Sequence, residues 1–230
     1  MYGTSAILIS WEACIDKAIL KDICLVKALI LEALSEQIQD CANGYNSLLV
    51  IYKKTVSEND LKLVEAFCAS RKRNTKITHG NIWEVPVCYH DSFGIDLQTL
   101  ATVKKMEVET LVQLHSSVTY TVFCKGFLPG FMYLGGLDKR LFIDRKAVPL
   151  LKVPQNSVAI GGKQTGVYPT ESPGGWHIIG RTPAILFDVS KKIASKISMG
   201  DTMKFKPITL TDYIKMDRVN DKTKLITQIG

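Results

Sequence analysis

A chain of 230 residues, 46% hydrophobic and 22% charged, carries enough apolar material for a proper core and falls outside the disordered class. Its length suits two domains of about 100 residues each. A net charge of +7 permits contact with anionic surfaces, but the Lys and Arg residues are scattered apart from Arg71-Lys72-Arg73 and Lys191-Lys192. With no zinc-finger, basic-zipper or aromatic RNA-binding signature, the charge reads as a solvated surface, and no nucleic-acid partner is expected. No apolar run approaches the roughly 18 to 20 residues needed to span a bilayer. The start MYGTSAILIS lacks the basic region of a secretory leader. The expectation is a cytoplasmic protein with no membrane partner, whose six separated cysteines stay reduced as small buried hydrophobes.

Ala6 to Trp11 is a short apolar run suited to a buried strand. Ile19, Ile23, Val26, Ile30, Leu34 and Ile38 then recur every three or four residues and predict one face of a helix of about five turns. Gly44 interrupts that pattern, with room for an extra strand before it, and Ser47 to Tyr52 reads as a second buried strand. Ser57 and Asp60 form a helix-start pair followed at helical spacing by Leu61, Val64 and Cys68. Arg71-Lys72-Arg73 would end that helix, where cations complement its dipole. Lys76 to Cys88 predicts a further strand. This order predicts a ferredoxin-like α+β sandwich over residues 1–90.

Tyr89 to Gly94 is polar and turn-forming, and marks the boundary. Two short helices are predicted next, Asp96 to Lys104 with Asp96 as N-cap, then Glu107 to His115. In the second, Val108, Leu111 and Leu114 face inward and His115 falls at the helix end. From Val118 onward the chain reads as short strands, among them Ala184 to Asp188 and Thr202 to Pro207. The pattern indicates a closed or nearly closed β-barrel over residues 91–212 with two leading helices. Residues 213–230 read as a polar tail.

Between Gly126 and Pro183 lie ten of the sixteen glycines and six of the eight prolines. No long helix or uninterrupted central strand survives that density. Phe127, Phe131, Tyr133, Gln164, Thr165, Tyr168, Trp176 and Arg181 alternate with the glycines, as where loops between short strands pass close to one another or to a ligand. A turn-rich β domain that uses Gly and Pro only as punctuation has the same composition. Standard catalytic signatures are mostly missing. Gly161 to Gly166 resembles a phosphate loop but lacks its spacing and its Lys-Ser/Thr ending. There is no GxSxG elbow. The four histidines, His79, His90, His115 and His177, are too dispersed for a metal site. His115 precedes the strand that enters the glycine-rich region, a place for a general base and equally for a side chain that only bonds a helix end.

Three blocks, LHSSVTYTVFCKGFLPGFMYLGGLDKRL, VPQNSVAIGGKQTGVYPTESPGGW and IIGRTPAILFD, resemble the signature of the allophanate hydrolase subunit 1 family. The likeness is close from His115 to Pro207, and the first ninety residues are compatible in element order. That family includes a component of the bacterial ATP-dependent 5-oxoprolinase, KipI-type inhibitors of sporulation histidine kinases, and part of the carboxyltransferase region of urea carboxylase. The resemblance implies a cyclophilin-like β-barrel. It also implies a complex that opens 5-oxoproline to L-glutamate with ATP as co-substrate; no metal ligand set or prosthetic group is evident in the residues of this chain. The partners implied are a homologous C-type subunit together with a lactam-utilising A-type subunit, the isolated chain being inactive. A kinase-docking inhibitor of the KipI type, or a member of a carboxyltransferase or allophanate hydrolase-type complex, is the alternative.

Carried over by position, the resemblance implies a catalytic group of His115, Gln164, Tyr168 and Arg181. Arg181 would be the cation, Gln164 an oxyanion donor, and His115 with Tyr168 the acid or base. Gly126, Phe127, Pro129, Gly130, Phe131, Gly162, Thr165, Gly166, Gly174, Gly175 and Trp176 would contact substrate. The chain departs from the family pattern at Asp144, which leaves only Arg145 of a Pro-Arg pair, at Leu150, which stands for the arginine of a second, and at Asn156, which replaces a glycine.

Overall fold

The computed structural model describes residues 1–70 and 80–230. The chain divides into two compact units, Met1–Thr78 and His79–Gly230. The first contains β1 (Ala6–Ser10), α1 (Lys17–Leu34), β2 (Ile38–Asn43), β3 (Ser47–Tyr52) and α2 (Glu58–Ser70). Asp16 caps α1 by accepting the Ala18 N–H at 2.7 Å, and Leu20, Ile23, Val26, Ile30 and Leu34 form its buried face. The helix has the expected five or so turns in its 18 residues and stops short of Ile38. The chain turns after Leu34, and Ile38 continues the same core from the first residue of β2. β3 lies between β1 and β2, antiparallel to both. Its period of two sends Leu48, Val50 and Tyr52 into the core. Ser57 and Asp60 form the expected reciprocal cap, the Ser57 N–H donating to the carboxylate at 2.9 Å and the Asp60 N–H to the hydroxyl at 3.3 Å. Arg71-Lys72-Arg73 and His79 lie outside the described residues.

The second unit contains β4 (Ile82–Cys88), α3 (Leu97–Lys104), α4 (Val108–Ser116), β5 (Thr119–Lys125), β6 (Met132–Gly135), β7 (Leu150–Val153), β8 (Ser157–Gly161) and β9 (Gln164–Val167). It continues through β10 (Ser172–Gly174), β11 (His177–Arg181), β12 (Thr202–Ile208), α5 (Leu210–Asp217) and β13 (Thr227–Gln228). The strand expected to complete the N-terminal sandwich is β4, and it pairs in parallel with β12 instead. Among the described residues no fourth strand joins the first sheet, so the ferredoxin-like sheet over residues 1–90 is not formed. A split β–α–β arrangement of three strands remains.

Seven strands in the order β11-β8-β9-β6-β5-β12-β4 close into a barrel where Arg181 of β11 meets Cys88 of β4. Closure removes the exposed edges that an open sheet would present. Alternate residues fill the interior: Val85 and Val87, Tyr120 and Val122, Met132 and Leu134, Val158 and Ile160, Met203 and Phe205. Leu97, Leu100 and Leu111 of α3 and α4 pack onto the same core.

Two expectations are corrected, for Ala184 to Asp188 and for the tail. Ala184 to Asp188 is not a strand: Pro183 has no N–H to donate, and the Ala184 N–H is taken by Thr182 Oγ1 at 3.1 Å. Its Ala184 and Leu186 still bury in the barrel core. β7 and β10 form a separate two-stranded ribbon. The tail is structured, because α5 buries Tyr213 and β13 pairs antiparallel with β4.

Asp201, 4% exposed, fastens the parallel pair. Its carboxylate accepts the Asn81 N–H at 2.9 Å, the Trp83 indole N–H at 2.8 Å and the Ser198 N–H at 2.8 Å. Asp201→Ala leaves these donors without an acceptor and is expected to cost about 3 kcal/mol in urea unfolding. Asp201→Asn retains one acceptor oxygen and is expected to lose less.

Candidate functional site

The β8–β9 pair has a different layer on each face. Thr165 and Val167 point into the barrel, so the intervening Gly166 faces out, as does Gly161. A Cβ added at Gly161 would stand 2.5 Å from the Trp176 ring, and one at Gly174 would stand 2.3 Å from the Tyr168 hydroxyl. Only glycine admits the aromatic layer at these two positions. Phe131, Tyr168 and Trp176 form a core of their own with Val153, Ala159 and Ile178. The rings meet edge to face, with Phe131 5.3 Å from Tyr168 and 5.4 Å from Trp176, and Tyr133 5.8 Å from Trp176. That arrangement suits ring quadrupoles better than face-to-face stacking.

These aromatics line a pocket of about 260 Å³ together with Phe127, Arg145, Pro149, Pro173, Gly174 and Gly175. Phe127 is 61% exposed and adopts φ +69°. Left-handed backbone is costly for a bulky residue and is found where the surroundings fix a ligand-contacting side chain. Here Phe127 stands edge-on to Phe131 at 5.7 Å and to Tyr168 at 6.4 Å.

Arg145 supplies the pocket's charge. Its neighbours are tied on both sides. The His177 ring meets the Asp144 carbonyl at 3.0 Å, the Lys146 N–H donates to the Gly175 carbonyl at 2.8 Å, and the Lys146 ammonium pairs with Asp96 at 2.7 Å. The Arg145 guanidinium lies 5.8 Å from the centre of the Trp176 ring, within cation–π range. Among the described residues no carboxylate pairs with it. Burial pushes the Tyr168 phenol above its usual pKa, opposed by a hydrogen bond from the Trp176 backbone and by the charge of Arg145. At neutral pH Tyr168 is therefore a donor and not a base.

The residues proposed as a catalytic group do not gather. Tyr168 lines the pocket; His115, Gln164 and Arg181 do not. His115 lies on the inward face of α4, four residues after Leu111, and is fully buried. Its Nδ1 is 2.7 Å from the Tyr89 hydroxyl and its Nε2 is 2.8 Å from Thr165 Oγ1. Thr165 donates its own proton to the Ala159 carbonyl at 2.9 Å, so it accepts from Nε2–H while Nδ1 accepts from Tyr89. Burial lowers the His115 pKa to about 3, and the ring stacks on Phe205 at 4.9 Å. This is a neutral strut inside the barrel. Arg181 lies at the end of β11, 4.9 Å from the centre of the Phe93 ring, in hydrogen-bond contact with Tyr213. Gln164 is 5% exposed, and among the described residues its amide nitrogen has no partner.

Of the expected substrate contacts, Phe127, Phe131, Gly174, Gly175 and Trp176 line the pocket. Gly126, Pro129, Gly130, Gly162, Thr165 and Gly166 do not. Thr165 serves the barrel interior, and Gly162 bridges to Ile143 at the β8–β9 turn. Arg145, Tyr133, Pro149 and Pro173 complete the lining and were not singled out as binding residues. The retained arginine of the Asp144-Arg145 pair was the available signal. Among the described residues no three His, Cys, Asp or Glu side chains form a metal-holding group. No described helix is long and apolar enough to cross a membrane.

Fold and site together define a mixed α/β chain with a closed seven-stranded barrel, whose wall carries an aromatic pocket with a cation and a hydroxyl donor. The chain belongs to the family of the carboxyltransferase domain, subdomain C and D, whose model matches residues 1–196. It is similar to the B-type subunit of 5-oxoprolinase from Bacillus subtilis, 37% identical over 170 residues, 74% of this chain and 67% of that protein. Its likeness to the Haemophilus influenzae protein of the same name is 46% over 122 residues, 53% of this chain and 57% of that protein. The matches thus span between 57% and 67% of these curated relatives. The crystal structure of a conserved uncharacterized protein, PH0987 from Pyrococcus horikoshii, superposes with a TM-score of 0.57 at 38% identity, covering 92% of this chain and 97% of that one.

The strut has a pH signature. Unfolded histidine titrates near 6.5, whereas His115 in the fold titrates at about 3. Its contribution to stability is fully present above pH 6.5 and is lost as pH falls from there toward 3, by about 1.4 kcal/mol per pH unit. Replacing it by His115→Gln lowers stability at pH 7 and removes this slope. The gap between the two proteins in urea unfolding is expected to narrow by about 2 to 3 kcal/mol between pH 7 and 4.5.

Proposed function

We propose that this chain is the B-type subunit of an ATP-dependent 5-oxoprolinase, acting in the cytoplasm to open 5-oxoproline to L-glutamate only together with a homologous C-type subunit and a lactam-utilising A-type subunit. The observation that carries the reading is the match to relatives named for this enzyme, joined to a ligand-sized pocket that has a cation and a donor but no base. A lactam resists water because its amide is resonance-stabilised. Transfer of the γ-phosphoryl group of ATP to the lactam oxygen makes the carbonyl carbon a better electrophile. Water then adds, the ring C–N bond opens as nitrogen takes a proton, and a second water releases phosphate. No described residue of the pocket supplies a phosphate cradle or a general base, which supports a division of that chemistry among subunits.

The closed barrel is read as cyclophilin-like. A second reading, a KipI-like inhibitor that docks on a histidine kinase, draws support from Val148 and Leu151, 81% and 85% exposed, which flank the Pro149 and Leu150 edge of the pocket layer. Exposed apolar side chains beside a pocket suit a polypeptide partner.

The test is reconstitution. Purified chain alone is expected to form no glutamate from 5-oxoproline and ATP, and addition of the A-type and C-type subunits is expected to restore ATP-coupled turnover. Turnover by the isolated chain overturns the reading. So does failure in a mixture where a known B-type subunit restores activity. Inhibition of kinase autophosphorylation by the chain, without reconstitution, would establish the second reading instead.

A further inference from the structure

The pocket's shape and charge narrow its occupant, on the proposed reading of the chain as part of a 5-oxoprolinase. We propose that it binds free 5-oxoproline itself, with Arg145 holding the carboxylate, Tyr168 donating to the lactam carbonyl, and the ring lying among Phe131, Tyr133 and Trp176.

Size is the first argument. Pockets for drug-sized ligands span roughly 300 to 1,000 Å³, and this one measures about 260 Å³. A single small ring with one substituent fits that scale. The lining is the second argument. Edge-to-face aromatics offer flat apolar walls without a hydrogen-bond ladder, suited to the C–H faces of a compact ring and unsuited to an extended polar chain.

Charge is the third. Of the cations on the barrel, Lys146 is engaged by Asp96 at 2.7 Å and Lys206 by Glu84 at 3.0 Å. Arg145 has no such carboxylate among the described residues, yet the backbone on both sides of it is tied down. A guanidinium left unpaired on an anchored stretch of backbone beside an apolar pocket is a complementary site for a carboxylate, which it can hold through two parallel hydrogen bonds. Tyr168 supplies the fourth argument. The Trp176 N–H approaches its oxygen, and among the described residues its own O–H donates to no acceptor. Its proton is available to a ligand carbonyl. Arg145 and Tyr168 are close enough to influence one another electrostatically, which agrees with a ligand carrying both acceptors on one small ring.

The experiment follows Trp176 fluorescence and protein-observed NMR during titration of the full chain with 5-oxoproline, 2-pyrrolidone, L-proline and a short proline-bearing peptide. Saturable binding of 5-oxoproline is expected. Arg145→Met, which keeps the length of the side chain without its charge, is expected to weaken it about 10- to 100-fold while leaving 2-pyrrolidone unaffected. Tyr168→Phe is expected to weaken both lactams and to spare L-proline, which has no lactam carbonyl. Circular dichroism and unfolding midpoints confirm that the variants are folded. The proposal is overturned if 5-oxoproline causes no saturable shift at millimolar concentration, if Arg145→Met leaves its affinity unchanged, or if only the peptide binds.

The reconstituted complex separates this outcome from the broader reading. Arg145→Met is expected to raise the KM for 5-oxoproline with a smaller effect on kcat. If the complex turns over and that KM is unmoved, the pocket assignment fails while the 5-oxoprolinase reading stands. If the complete complex is inactive but the isolated chain binds 5-oxoproline through Arg145, the 5-oxoprolinase reading fails and the pocket assignment stands.

Discussion

The β8–β9 pair is shared between two cores, and its fixed alternation of side chains is the constraint on which the second unit depends. On the inner face Thr165 accepts from His115 and donates to Ala159. On the outer face Gly161 lies under Trp176, and Gly166 lies under Trp176 and Phe131. A register slip of one residue would exchange these faces, placing Thr165 beneath a ring that tolerates no Cβ. The barrel's hydrogen-bonded interior and the pocket's aromatic layer therefore specify the same register from opposite sides. Closure through Arg181 and Cys88 and the Asp201 clasp on β4 then hold that register within a ring without free edges.

The polar groups divide in the same way. His115, Tyr89 and Thr165 form a chain in which each partner's lone pair or proton has a destination, and such a satisfied network stabilises a barrel interior without inviting water. The outer layer is satisfied differently. Tyr168 keeps a proton to give, and Arg145 stands without a counter-charge among the described residues. Unsatisfied capacity at a solvent-connected pocket costs less than in a core, because water can occupy it until a ligand does.

Much of this was legible in the residues. The short apolar runs from Val118 onward and from Thr202 to Pro207 announced barrel strands, and the glycine and proline density from Gly126 to Pro183 announced a shaped surface. Ring closure was not legible, since it depends on β4, whose apolar alternation fits an N-terminal sheet as well as a barrel wall. For His115 the sequence left a general base and a helix-end hydrogen-bonding partner equally open. The four-residue spacing from Leu111 placed it on the buried helix face. Ala184 to Asp188 looked like a strand because burial and strand composition share the same residues, while the hydrogen bond that diverts it comes from Thr182 just outside the run. Arg145 carried the weakest signal of all, since only its place in the pocket lining and its tied neighbours distinguish it from other basic residues.

The division of labour proposed for the complex has a physical cause in the pocket's small volume. A site that gripped a lactam and also presented a nucleophile-activating group would need that group close to Tyr168, where burial disfavours every charged form except one matched by Arg145. A carboxylate placed there to serve as base would pair with Arg145 and remove the cation proposed to hold the substrate. Grip and activation thus compete for the same space. Placing the phosphoryl donor and the base on another polypeptide resolves that conflict. The exposed Val148 and Leu151 supply apolar surface beside the pocket for such a polypeptide to cover.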